Sequence, residues 1–582
     1  MRNKTLPLLL VLCLALILTA PACEPSGGTP LIGDGETSDA IPCDTQALIA
    51  ALEAAAGQAL TELNLTPGCV YEIVRPYVSD YQWGGTGLPP IQTEVIIHGA
   101  GATLLRSPAS DADPSAYRFF FIEDGGALEV ENLHLQNGGW AGEMEPCAHA
   151  QTACKSGGAV LVLGGQVTFR SIEFIGNGAY MGGAITIGTA EVEIVNSSFE
   201  TNLAYSGGAL STGTSAIVNI AGTTFYQNQA SAHPTGSTGG AIWNNGSISV
   251  VGSSFTDNLA TDYGGAIVSN GVMTISESAI TGNWGDGGGA VTVHGGGVTL
   301  SNTTVSGNMS TPVLYFVRMG ALYVIEGGLS LNHCTVADNL GHAPAITSLA
   351  DTYVGLENTI VADNAAGDCH FIRTTVETSA VLDTDGSCQA TLSSTDPMLG
   401  PLANNGGATL THALHPSSPA VDIAVGDCPA SDQRGVVRPY GDGCDLGAYE
   451  YRLAEMGGVP QVVPDDAVPA EPARPEIDVA RVEMASPCLE APAADSRTIT
   501  TLRVGGVVEV LGLSSGGYFI MVRDPCEPEI PCYVDPSAIT LEDELETLQV
   551  IPDPTPTPTP TPRPPPPPAP TATPCIGAGC GN

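Results

Sequence analysis

Basic side chains are scarce in this chain: 18 Lys and Arg stand against 61 Asp and Glu, a net charge of −43 over 582 residues. That imbalance excludes nucleic acid and anionic lipid surfaces as partners, because both are held by clustered Lys and Arg. Charge of either sign is also thin, at 14%, where ordinary domains carry about a quarter. Aromatic residues reach only 5%, while Gly (71) and Pro (45) abound. This balance favours many tight turns over packed helices. No stretch after residue 18 is long and apolar enough to span a bilayer. HExxH, a phosphate-binding Gly-rich loop and a double CxxC of zinc spacing are all missing, so neither cofactor nor metal is expected.

What is present begins with an export signal over residues 1–22. Arg2 and Lys4 precede the apolar run Leu6 to Leu18, and Ala20-Pro21-Ala22 supplies small residues for cleavage. The next residue, Cys23, resembles the acceptor of the bacterial lipoprotein box, although Ala20 stands where that family prefers Leu. The resemblance implies a diacylglycerol on the Cys23 thiol; plain secretion is the other outcome. A lipid there is the one membrane attachment expected. Residues 23–42 read as a flexible linker. Of 16 Cys, short-range pairs are available at Cys43–Cys69, Cys147–Cys154, Cys369–Cys388, Cys428–Cys444 and Cys575–Cys580. Disulfides are the expected use of cysteine in an exported chain.

The middle of the chain repeats. An apolar residue, another two later, a third at seven and Asn at ten recur eight times, at steps of 25, 26, 30, 25, 25, 31 and 25 residues. The Asn positions are Asn177, Asn202, Asn228, Asn258, Asn283, Asn308, Asn339 and Asn364; an earlier copy has Gly138 instead. Spacing i, i+2 is a strand period. Gly-Gly-Ala recurs at residues 157, 182, 207, 239, 264 and 288, where a bend needs φ > 0 and a narrow cross-section. One copy cannot bury its own apolar face, but stacking on the next copy can. About 25 residues make three short strands and three turns, one coil of an all-β solenoid, and the crossover rule makes it right-handed. The Asn side chains are expected to be structural, laddering from coil to coil.

This pattern resembles right-handed, single-stranded parallel β-helix proteins of the pectate-lyase-like superfold. The GGAI…F-x-x-N form resembles the repeat of polymorphic outer-membrane proteins. The resemblance covers about residues 85 to 390 and implies a fold, not an activity. Residues 43–108 are read as an N-terminal cap and first coil, with Leu48, Ile49, Leu52 and Ala55 on one helical face and Asp44 or Thr45 as N-cap. The β-helix proper is read over 109–390. Residues 391–451 resemble the choice-of-anchor Q type segment of bacterial surface proteins, in Ser418-Pro419-Ala420-Val421-Asp422, Asp432-Gln433-Arg434-Gly435 and Asp445-Leu446-Gly447-Ala448-Tyr449-Glu450. That resemblance implies surface display. A linker (452–478) precedes a stretch, 479–542, that resembles a bacterial SH3-like barrel, with Tyr518-Phe519 and Cys532-Tyr533-Val534 replacing its usual double Trp and Cys-Trp-Val. Residues 543–582 read as a disordered Pro/Thr-rich tail, of which Pro554 to Pro574 form an extended spacer of roughly 65 Å.

Chemistry is hard to place. A polysaccharide lyase needs a cation on the uronate carboxylate and a base for the α-proton. From 86 to 365 the chain offers only Arg106, Arg118, Lys155, Arg170 and Arg318, on separated coils. A glycosidase needs two carboxyls; Asp338 and Asp363 precede ladder Asn residues on consecutive coils, most simply as solvated turn residues. His294, His333 and His342 read as surface or turn residues. Insertions at 138–156, 231–237 and 310–319 gather at one corner and offer Trp140, His233, Tyr315 and Phe316 as a ligand surface. The leading expectation is an exported, non-catalytic surface protein whose β-helix binds an extracellular polysaccharide or a surface protein. A carbohydrate-active β-helix enzyme is the alternative, and cell-wall binding through the SH3-like domain is the third reading.

Overall fold

The computed structural model describes residues 40–78, 84–107, 117–139, 156–231, 237–310 and 319–452, and between 479 and 551 the backbone of eight strands. The chain divides into two compact units, Met1–Arg452 and Leu453–Asn582. The first is a parallel β-helix. Twenty-nine of its strands (a 29-stranded sheet) pair in parallel as one continuous wrapped surface. Each coil contributes to three faces. The first face runs from Phe120–Ile122 to Cys369–Phe371, the second from Leu60–Asn64 to Thr375–Ser379, and the third from Val70–Ile73 to Leu382–Asp383. A short 6-stranded sheet, Leu203–Ala204 to Leu340–Gly341, follows the third face at the Asn corner.

Register follows from the repeat. Val192, Val218, Ile248 and Met273 pair in one inward column of the second face. Phe174, Phe199, Phe225 and Phe255 pair in a column of the third. Those rings stack at 4.5, 4.7 and 4.7 Å with interplanar angles of 8°, 4° and 3°. This spacing is the strand separation itself, and each buried ring contributes roughly 1.5–3 kcal/mol. Gly-Gly-Ala turns the chain into the first face. The leading Gly has φ between 58° and 72° in all six copies. A Cβ on the second, as at Gly183, Gly208 or Gly240, would fall on a carbonyl oxygen of the next coil. The Ala is fully buried in each copy.

The Asn corner is a continuous hydrogen-bond column. Each Asn Oδ1 accepts the backbone N–H and the Nδ2–H of the Asn before it, as Asn258 does from Asn228 at 3.0 Å each. Each Nδ2 also donates to a third-face carbonyl one coil back, as Asn258 does to Phe225 O at 2.9 Å. At the head of the column Gly138 N donates to Asn177 Oδ1 at 2.8 Å. A side chain at 138 would meet Phe119 and the carbonyl of Gly158, so the repeat dispenses with Asn there. At the last coil Asn364 Nδ2 donates to Asp368 Oδ1 at 2.9 Å, and Thr384 satisfies the other carboxylate oxygen. A carboxylate closes the column because it accepts without needing a further acceptor.

A second column runs along the second-to-third corner. Ser197, Thr223, Ser253, Ser278, Thr303 and Thr359 each donate to the carbonyl two residues earlier, at 2.6 to 3.0 Å. Cys334 occupies the same place, with Sγ 3.5 Å from Asn332 O. It is the one free cysteine among the residues whose side chains are described, it is buried, and burial pushes its thiol up to about 12. We expect peptide mapping after iodoacetamide treatment at pH 8 to find Cys334 unmodified in native protein and fully modified after unfolding. Cys334→Thr should melt within a few degrees of wild type.

The ends are closed. Helix Thr45–Ala55 caps the first coil, with Asp44 as N-cap accepting from Ala47 N at 3.0 Å. Leu48, Leu52 and Ala55 are buried, and Ile49 packs beside them. Cys43–Cys69, Cys369–Cys388 and Cys428–Cys444 are disulfide-bonded; Cys147, Cys154, Cys575 and Cys580 lie outside the described residues.

Residues 399–452 then fold back as a strap over the outer side of the third face. Asn358 clamps Val425 by its side chain, with Val425 N to Oδ1 at 2.8 Å and Nδ2 to Val425 O at 3.0 Å. Thr335 Oγ1 accepts from Ala448 N, Thr304 donates to Gln433 Oε1, and Thr409 donates to Glu277 O. The segments that resemble choice-of-anchor Q are the interior of this strap. Asp432, Gln433, Arg438, Asp445 and Glu450 are each no more than 5% exposed. Arg438 Nη1 lies 3.0 Å from Glu450 Oε2 and Arg434 Nη2 lies 2.8 Å from Asp432 Oδ2. Burial pushes Asp445 up to about 6 against its backbone hydrogen bonds. The motif's charges therefore hold the strap together.

In the second unit, eight strands from Val479–Val482 to Val550–Ile551 form one sheet, antiparallel throughout except that Val550–Ile551 runs parallel to Val507–Ser514. The last strand lies past residue 542, where the tail was expected to begin. Side chains of Tyr518, Phe519 and Tyr533 lie outside the described ones.

Candidate functional site

Alternation along the first face sends the middle residue of each three-residue strand outward. The register stacks Phe121, Leu161, Thr186, Ser211, Trp243, Val268, Thr292, Tyr323, Thr347 and His370 in one outer column. No carboxylate, Lys or Arg interrupts it. A cavity of about 310 Å³ lies over the early part of the column, lined by Leu161, Thr186, Ser211 and Trp243 and flanked by Met181 and Asn245. Further along, the Tyr263 and Tyr323 rings stack at 6.4 Å, 23° from parallel. Gly287 makes room for them, since a Cβ there would meet Tyr263 and Met319. Tyr180 and Tyr205 pack edge to face at 4.7 Å at the entry corner of earlier coils.

Beside the tyrosine pair stand Asp262 and Asp286 on successive coils. Burial, and then the Asp286 carboxylate, pushes Asp262 up to about 6. Tyr323 is pushed up to about 12 by burial and then Tyr263. A half-buried acid beside a second carboxylate is the pattern by which proteins separate an acid from a base.

The residues singled out from sequence fare differently. Trp140, His233, Tyr315 and Phe316 lie outside the described residues, as do Cys23, Lys155 and Arg318. Asp338 and Asp363 do come together: burial raises Asp363, helped by Asp338 and Asp396. They border the strap, where His412 Nε2 is 4.0 Å from Asp338 Oδ2. His412 Nδ1 donates to Gly400 O, so in the neutral ring Nε2 accepts from Ser306 at 2.9 Å. His333 is a turn residue with φ 50°, yet only 1% exposed, because the strap covers it. Burial and then Arg438 push it down to about 3.

Arg106, Arg118 and Arg170 stand apart from one another. Arg106 and Arg118 are buried, the first over Tyr117 and the second on the carbonyls of Gly157 and Ser156. Arg170 sits on the second face between Glu129 and Glu193. No group of three or more His, Cys, Asp and Glu among the described residues could hold a metal, and no described helix is long and apolar enough to cross a membrane.

Sequence reading missed the outer column, although a signal existed: it is the residue after Gly-Gly-Ala-apolar in successive copies. It also missed Asp262 and Asp286, which lie four and three residues past their ladder Asn. That unequal offset leaves no periodic trace.

No family model matches the chain, and no curated protein is similar to it. Among solved structures it resembles the pectate lyase Pel9A, at 14% identity over 69% of this chain and 90% of that one, with a TM-score of 0.36. It also resembles the periplasmic alginate epimerase AlgG, at 12% identity over 58% of this chain and 82% of that one, with a TM-score of 0.26. Both likenesses are too weak to carry an argument about activity.

Proposed function

We propose that the chain is an exported, non-catalytic surface scaffold that holds an extracellular polysaccharide along its first face. The outer column carries this reading. It is a row without carboxylate, Lys or Arg in which Thr186, Trp243 and His370 reach the surface, with the partly exposed Tyr263 at its edge and Tyr323 buried against it. Sugars present apolar ring faces to aromatics and hydroxyls to polar side chains. Adjacent coils repeat at about 4.8 Å, so one chain can lie across several. Three disulfides suit an oxidising compartment. The strap, the second unit and the Pro-rich tail would serve display.

Full-length protein should be retained on a polysaccharide matrix without releasing reducing or unsaturated ends. Failure to bind any polysaccharide would sink the reading. The raised Asp262 favours a second reading, glycoside hydrolysis with Asp262 as acid and Asp286 as the second carboxyl. Reducing ends that appear with wild type and vanish with Asp262→Asn would establish it in place of the first.

A further inference from the structure

We propose that the cavity over Leu161, Thr186, Ser211 and Trp243 is a subsite for one uncharged pyranose ring of a polysaccharide chain. This rests on the reading of the first face as a glycan platform and adds a place and a substrate class. The volume, about 310 Å³, lies at the small end of ligand sites. Its apolar lining comes from Leu161, Met181 and Trp243, so a ring face can rest on the indole.

Several polar groups around it are already committed; Thr214 at its rim is exposed to solvent, and Ser211 is buried without a partner. Thr186 Oγ1 donates to Met181 O at 2.7 Å. Thr212 Oγ1 donates to Asn244 Oδ1 and accepts from Asn245 N, both at 2.9 Å. The Asn245 side chain donates to Thr212 O at 2.9 Å and accepts from Asn270 at 2.8 Å. Ser211 is 1% exposed, and its Oγ has no hydrogen-bond partner. Orphan hydroxyls of this kind are rare in folded proteins. This one lines a cavity, next to the Trp in the same column. A sugar hydroxyl reaching it would complete the set. No Lys, Arg or His lines the cavity, so a uronate carboxylate would enter without a counter-charge, at high desolvation cost.

The test is calorimetric titration of full-length protein with cellohexaose and mannohexaose, with hexagalacturonate as the charged control. At least one neutral oligosaccharide should bind and the charged one should not. Trp243→Ala should weaken neutral binding at least about tenfold. Ser211→Ala should weaken it roughly five- to tenfold, while the melting temperature stays at or above that of wild type, because no protein hydrogen bond is lost. Opposite signs in affinity and stability separate a ligand contact from a structural one. Neutral binding unchanged in both variants, or equal binding of hexagalacturonate, overturns the subsite. If those variants still hold polymer as wild type does, the subsite fails and the wider platform stands. If wild type holds no polysaccharide at all, both fail.

Discussion

Asn258→Ala is expected to lower the stability of the β-helix by about 3–5 kcal/mol, read from denaturant unfolding followed by far-UV circular dichroism. Asn258 takes two donors from Asn228 and gives one hydrogen to Phe225 O and another to Asn283 Oδ1. Truncation strands the Asn228 amide, the Asn228 side chain and the Phe225 carbonyl in a place with no access to water. Each such group costs about 1–3 kcal/mol, and partial relaxation lowers the sum. Asn258→Asp is expected to be no milder: the carboxylate cannot donate to Phe225 O and is itself a buried charge. A loss below about 1 kcal/mol in both variants would mean that the column is not the seam it looks to be.

The second large effect is local. Arg438→Met should destabilise the strap by about 3–5 kcal/mol, because Glu450 keeps a charge with no cation beside it. The Arg438–Glu450 pair is fully buried, and Arg438 also holds the carbonyls of Asp445 and Gly447. Hydrogen exchange should show Val425 and Ala448 amides losing protection, since their partners Asn358 and Thr335 belong to the face beneath. The amides of Asn228 and Asn258 should keep theirs. Pairing Arg438→Met with Glu450→Gln should recover part of the loss, because the stranded charge goes with it. Equal loss of protection in strap and column would show instead that they unfold as one.

The coil itself was legible from the amino acids, because a solenoid writes each contact as a period. Val192 meets Val218 and Phe199 meets Phe225 for the same reason that the residues recur one step apart. The strap was not legible as a covering. Its contacts join Thr304 to Gln433 and Thr335 to Ala448, pairs that share no spacing. The sequence resemblance at Asp432-Gln433-Arg434-Gly435 marked the segment but not the surface it lies on. The candidate site divides the same way. Leu161, Thr186, Ser211 and Trp243 occupy a fixed place in the repeat and could be read off it. The orphan state of Ser211 and the raised acid at Asp262 depend on burial, which no spacing encodes.

The returning strap also governs how a molecule of this kind can change in length. Among the described residues no hydrogen bond joins the strap to a coil before Thr224, so a whole period can be added or lost between the cap and that point without moving the strap's footholds. Between Glu277 and Asn358 the strap has fixed footholds at Glu277, Thr304, Thr335 and Asn358. One extra period inside that span would move the far footholds by about 4.8 Å, beyond what the same hydrogen bonds can bridge. Duplication is free at one end of the stack and forbidden at the other, and the backward-running segment acts as the molecule's own gauge.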